Sequence, residues 1–101
     1  MKLLIEIPGD LEPLERGRRF DIPLIEFLEP IGGDILDSGT FIKDGQVKSC
    51  HILIIVPNES VISQIVAILE QGAATAGTTL SLCGPTWPFE LLWISEENKT
   101  N

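Results

Sequence analysis

The sequence contains no tyrosine, one histidine, two cysteines, and seven lysines and arginines against fifteen aspartates and glutamates. Each scarcity removes a class of function. A sheet that reads RNA stacks bases on exposed aromatics with basic neighbours, and a net charge of −8 repels phosphate backbones, so no nucleic acid partner is expected. The lone histidine, His51, would have to be the base in any Ser/His or Cys/His mechanism. Cys50 beside it projects to the other face of a strand, so this thiol and imidazole cannot meet within one chain. The spacing of Cys50 and Cys83 matches no zinc motif, and without a histidine cluster neither a metal nor a cofactor is expected. The phosphate-binding patterns Gly-x-x-x-x-Gly-Lys and Gly-x-Gly-x-x-Gly are absent as well.

Long apolar runs are also missing. The richest stretch, Ile52 to Val56, stops at Pro57, far short of the roughly 20 residues that cross a bilayer, so no membrane partner is expected. The opening run is interrupted by Glu6, Pro8 and Gly9 before it reaches the length of a signal peptide. The expectation is a cytoplasmic protein with two free thiols, Cys50 and Cys83.

What is present is the material of one small α+β domain over residues 1–95, with a polar tail at 96–101. Leu3, Ile5 and Ile7 alternate with Lys2, Leu4 and Glu6, which predicts a strand ending at Pro8-Gly9. Residues 10–19 hold Pro13 and Gly17 and predict at best a turn or two of helix. The first helix proper is expected after Asp21, with Pro23 in its first turn, Leu24, Phe27, Leu28 and Ile31 on one face, and Gly32-Gly33 at its end. Two β-rich runs, 35–42 and 47–56, flank Asp44-Gly45 and predict a hairpin with a tight positive-φ turn. Asn58 or Ser60 can cap a second helix with Val61, Ile62, Ile65, Val66, Ile68 and Leu69 on its apolar face. Residues 79–94 fit either one strand or two strands joined by the loop Gly84 to Pro88.

The order β, α, β-hairpin, α, β is that of a ferredoxin-like split β-α-β sandwich, an antiparallel sheet with two helices on one face. In the second hairpin strand Cys50, Ile52, Ile54 and Val56 belong under the helices. Ser49, His51, Leu53 and Ile55 point away, where Leu4 and Trp93 or Leu92 can join them. Such a face is a candidate contact surface unless 89–94 folds over it. Asp34 and Asp37, three apart in a strand, are read as projecting to opposite faces and so not as a carboxylate pair. Arg16, Arg18 and Arg19 form the one local basic cluster, which can grip an anion or satisfy nearby carboxylates.

The segment Gly32-Gly-Asp-Ile-Leu-Asp-Ser-Gly-Thr40, followed by Asp44-Gly45 and Ser49-Cys-His-Ile-Leu-Ile, resembles a group of small stand-alone bacterial proteins of ferredoxin-like build. Some proteins of this type are immunity proteins, so the resemblance implies binding and silencing of a toxin domain. Ile5-Glu-Ile-Pro-Gly-Asp-Leu11 resembles the first strand and ligand loop of ACT-type regulatory domains. That likeness implies a small ligand near Gly9, Asp10 and Leu11 and dimerisation through the sheet. The first function expected is therefore that of a non-enzymatic protein-binding module for a toxin or other basic partner. Glu26, Glu29, Asp34 and Asp37 would steer the encounter, and Trp87, on its proline-flanked loop, would anchor it. The alternative is the small-ligand regulatory domain, with a homodimer.

Overall fold

The structure, a computed structural model, describes residues 1–86 and 88–96. Its elements are β1 (Lys2–Pro8), α1 (Pro13–Arg16), α2 (Ile22–Leu28), β2 (Asp34–Lys43), β3 (Gln46–Ile55), α3 (Ile62–Gln71), β4 (Thr79–Leu82) and β5 (Glu90–Ile94). The strands form one five-stranded sheet in the order β2-β3-β1-β4-β5, with every neighbouring pair antiparallel. Both helical segments cover one face of this sheet, so the fold is a ferredoxin-like α+β sandwich extended by β5 at one edge. The last apolar region is thus two strands, and β5 lengthens the sheet instead of folding across it. Of the expected polar tail only Glu96 lies within the described residues.

The covered face is set by alternation. Leu3, Ile5 and Ile7 from β1, Cys50, Ile52 and Ile54 from β3, and Leu80 from β4 are buried beneath Phe20, Leu24 and Leu28 of the first helical segment and Ile65 and Leu69 of α3. Each such side chain contributes about 1.5–3 kcal/mol by leaving water. Trp93 is paired with Leu80 and packs partly buried against the same core, so it belongs to the covered side and not to the open one.

The first helical segment departs from the sequence expectation. Helix begins at Pro13 and runs without a break to residue 31, because residues Gly17–Asp21 form a π-helical turn joining α1 to α2. The widened turn supplies what Pro23 demands: a proline inside a helix lacks the N–H and clashes with the preceding turn, and a π turn just before it loosens that turn. Gly17 keeps ordinary right-handed helical geometry there, so its low propensity did not stop the helix. Its C-terminal end at Gly32 is left-handed, with φ 83°.

The hairpin between β2 and β3 turns on Asp44 and Gly45, with φ 53° and 74° between the paired Lys43 and Gln46. Positive φ at both central residues matches the right-handed twist of the strands. Asn58 caps the second helical segment by accepting a hydrogen bond from Ser60 N at 2.9 Å. At the other end of α3, Gly72 permits a close approach: a Cβ there would lie 2.5 Å from Phe20 Cε1 and 2.8 Å from Arg19 O.

Candidate interaction surfaces

The side chains that could carry function fall into four places. The first is a polar cluster between the π turn and the sheet. Arg16, buried, donates from Nη1 to Thr40 Oγ1 at 2.8 Å and from Nε to Asp21 Oδ2 at 3.5 Å, a long contact, while Asp21 Oδ1 is buried without a partner. Burial pushes the Asp21 carboxyl above its ordinary value, against the opposing pull of Arg16. The neighbouring Cys50 thiol is likewise raised by burial, with the Arg16 charge acting against it, so it is held as the neutral thiol and not as a reactive thiolate.

The other two arginines are also committed internally. Arg18 pairs with Glu15, and Arg19 donates to Gly72 O at 2.8 Å and Ala73 O at 2.7 Å, capping the carbonyl end of α3. The basic cluster thus serves internal acceptors.

The second place is the outer side of α2. Leu24 and Leu28 face the core, which turns Ile22, Ile25, Glu26 and Glu29 outward at helical spacing. Ile22 and Ile25 are 53% and 37% exposed. Glu26 and Glu29 make no ion pair or side-chain hydrogen bond among the described residues. Sequence reasoning singled out these glutamates but missed the isoleucines one turn before them. The signal was the same 3-and-4 spacing, since Ile22 and Ile25 fall off the stripe that holds Leu24 and Leu28.

The third place is the uncovered sheet face. Here Asp34 opposes Ile55 and Asp37 opposes Leu53, so both aspartates lie on this one face. The expectation of opposite faces fails because β2 carries a bulge between Ile35 and Asp37, and one extra residue reverses the alternation. Asp37 Oδ2 is 3.1 Å from His51 Nε2, and the imidazole lies over Gly39, where a Cβ would come within 2.7 Å of His51 Cε1. Cys50 lies on the opposite side of β3, in the core. Asp34 uses one oxygen locally, accepting from Ile35 N at 2.8 Å.

Across the strands, the pairings line up Leu91, Ser81, Leu4, Leu53 and Asp37 in one row. A neighbouring row holds Lys2, Ile55 and Asp34, and the row on the other side holds Ile94, Thr79, Glu6, His51 and Gly39. Phe41, Leu91 and Ile94 are 57%, 53% and 47% exposed. Trp87, the expected anchor, lies outside the described residues.

The fourth place is the loop after β1. Gly9, at φ 109°, and Asp10 line an open cleft of about 770 Å³ with Glu12, Gln46 and Lys48. Leu11 lines an adjoining hollow of about 60 Å³, beside Arg19 and Thr75, that Asp10 lines as well. Among the described residues no group of three or more His, Cys, Asp or Glu side chains is placed to hold a metal ion, and no helix is long and apolar enough to cross a membrane.

The four acids expected to act together are therefore split: Glu26 and Glu29 sit on the helical layer, and Asp34 and Asp37 on the sheet face, with Asp37 engaged by His51. In comparisons with known proteins, no family model, no curated protein and no solved structure matches this chain.

Proposed function

We propose that the protein is a non-catalytic binding module for a basic protein partner, held on the outer stripe of α2. The observation that carries this reading is the juxtaposition on that stripe of two exposed isoleucines, Ile22 and Ile25, with two unpaired glutamates, Glu26 and Glu29, that follow them at helical spacing. Apolar groups rimmed by unpaired charge are the usual make-up of a contact surface: the isoleucines lose water on binding, and the carboxylates select a basic partner. The net charge of −8 acts in the same direction by raising the encounter rate with a cation. Neutralisation of a basic toxin domain is the concrete form of this role that we favour. The cleft lined by Gly9, Asp10, Glu12 and Lys48 favours a second reading, a small-ligand regulatory site.

The test begins with capture of partners on the immobilised protein and on a Glu26→Lys/Glu29→Lys variant. A basic protein retained by the parent and lost by the folded variant is the expected result. Its association rate should fall between about 50 and 500 mM salt, because screening shortens the Debye length several-fold over that range. A partner held equally by both proteins would refute the assignment of this surface.

A further inference from the structure

The outer stripe of α2 adjoins the free edge of β2, the strand that ends the sheet. The helical segment runs back along this strand: Arg16 meets Thr40 at one end, and at the other Gly33 N bonds Leu28 O just before β2 begins at Asp34. α2 contacts β2 on one side and α3 on the other. Pro23 shares a hollow with Ile68 and Gln71 of α3, which marks the α3 flank. Ile25, two residues and about 200° of helical turn further round, therefore lies on the flank beside β2, with Ile22 and Glu29 near it.

On an edge strand, alternate residues turn their N–H and C=O groups away from the sheet. The bonds of β3 tell which residues of β2 these are. Gly9 N bonds Lys48 O, and Val56 N, just past β3, bonds Met1 O, so the even-numbered residues of β3 turn toward β1. The unbroken β1–β3 register carries that alternation through Cys50 and Ile52. The odd-numbered residues therefore bond to β2, through Asp37, Gly39 and Phe41. Ser38 and Thr40, opposite Ile52 and Cys50, are left with their backbone donors and acceptors on the free edge, about 7 Å apart, the repeat of an antiparallel ladder. Asp34 and Asp37 stand on the open side of the same strand, and Asp34 keeps one oxygen without a partner among the described residues.

We infer that the basic partner proposed above docks as an added strand on this edge, its apolar side chains under Ile22 and Ile25 and its lysines or arginines beside Asp34 and Asp37. The inference rests on the α2 reading and gives it a binding mode. Alternation makes the two requirements compatible, because successive residues of a strand face the covered side and the open side in turn. Backbone bonds to Ser38 and Thr40 hold the segment, the isoleucines lose water against it, and the carboxylates select cations. Glu29 borders the edge from the helical side and the two aspartates from the open side. A second copy would bring the same acids against them, so charge favours a basic segment as the occupant.

The experiment titrates the isotope-labelled full chain with an end-capped peptide of alternating lysine and valine, read by amide and methyl NMR and by amide hydrogen exchange. Saturable shifts at Ile22 and Ile25, together with slowed exchange at Ser38 and Thr40, are the expected result. Ser38→Pro should weaken binding about fivefold or more, because it removes an outward donor and leaves the β2–β3 ladder intact. A denaturation curve establishes that this variant is folded, and the exchange measurement on the parent stands without it. A peptide of the same composition with its lysines and valines in two blocks should bind several-fold more weakly. Shifts confined to α2, with exchange at Ser38 and Thr40 unchanged, overturn the added strand and leave the α2 reading intact. Edge protection that persists in full in Ile22→Ser/Ile25→Ser overturns the shared site. No binding, or equal binding of the block peptide, also overturns the inference, while capture with the Glu26→Lys/Glu29→Lys variant decides the α2 reading on its own. A parent that dimerises without peptide and protects the same two amides would mean that a second copy takes the edge, against the inference.

Discussion

The two faces of the sheet are built from the same five strands, residue by residue in alternation, yet they serve opposite ends. On the covered face Ile52 and Ile54 lose all exposure beneath two helical segments. On the other, Leu53 and Ile55 are just as apolar but keep part of their surface in water beside Asp37, His51 and Glu6. Residue chemistry alone does not distinguish Ile52 from Leu53; what lies above them does. A side chain surrounded by other side chains leaves a cavity when shortened, whereas one at a water boundary leaves a space that solvent fills.

That contrast can be broken most sharply at this adjacent pair. Ile52→Ala should cost about 3 kcal/mol of unfolding free energy, and Leu53→Ala about 1 kcal/mol or less in the monomer. Urea titrations at low protein concentration measure both. Equal losses would mean that the uncovered face is shielded as well as the covered one.

A second change tests the hairpin that brings β2 alongside β3 and so widens both faces. Gly45 has φ 74° with open space around its missing Cβ, so Gly45→Val meets no clash and registers backbone strain alone. It should destabilise by about 1 kcal/mol or more, because a β-branched residue in the left-handed region is strained. The same urea titration reads it, and unchanged stability would remove the turn geometry.

The smallest effect sharpens the comparison from the side of charge, because Asp21 lies partly buried on the covered side whereas Glu6, Asp34 and Asp37 lie on the open face. The folded state raises the Asp21 pKa above the ordinary 3.8, so between those values the native protein binds more protons than the unfolded chain. Stability from this group is therefore fully present below 3.8 and is lost as pH rises through the raised folded value. Asp21→Asn should flatten that decline in a pH series of denaturation midpoints. If the slope just above 3.8 is identical in the variant, the burial of Asp21 has no energetic consequence.

Much of this architecture is legible in local chemistry. Alternation separates the two faces of β1 and β3, and Asp44-Gly45 marks the hairpin because few other pairs accept positive φ twice. The boundaries that sequence reasoning misplaces are both one-residue insertions. The π turn at 17–21 carries helix through Gly17 and up to Pro23, where propensity predicts a stop, and the bulge at Leu36 moves Asp37 onto the face of Asp34. Each is stabilised by distant partners, Phe20 and Arg19 against α3 in one case and the β3 register in the other, so neither leaves a trace in its own neighbourhood of sequence.

The place of β1 has a consequence for the order in which the chain can assemble. β1, which precedes the other four strands in sequence, lies in the middle of the sheet, between β3 and β4, with β5 beyond. It gains one neighbour only when residues 46–55 have been made and the other only when 79–82 have followed. Until then its backbone groups and its Leu3-Ile5-Ile7 stripe lack their final cover, and every one of the contacts that complete them closes a long loop. Completion of the sheet around β1 thereby waits for residues 79–82, with a rate set by long-range pairing more than by the helices.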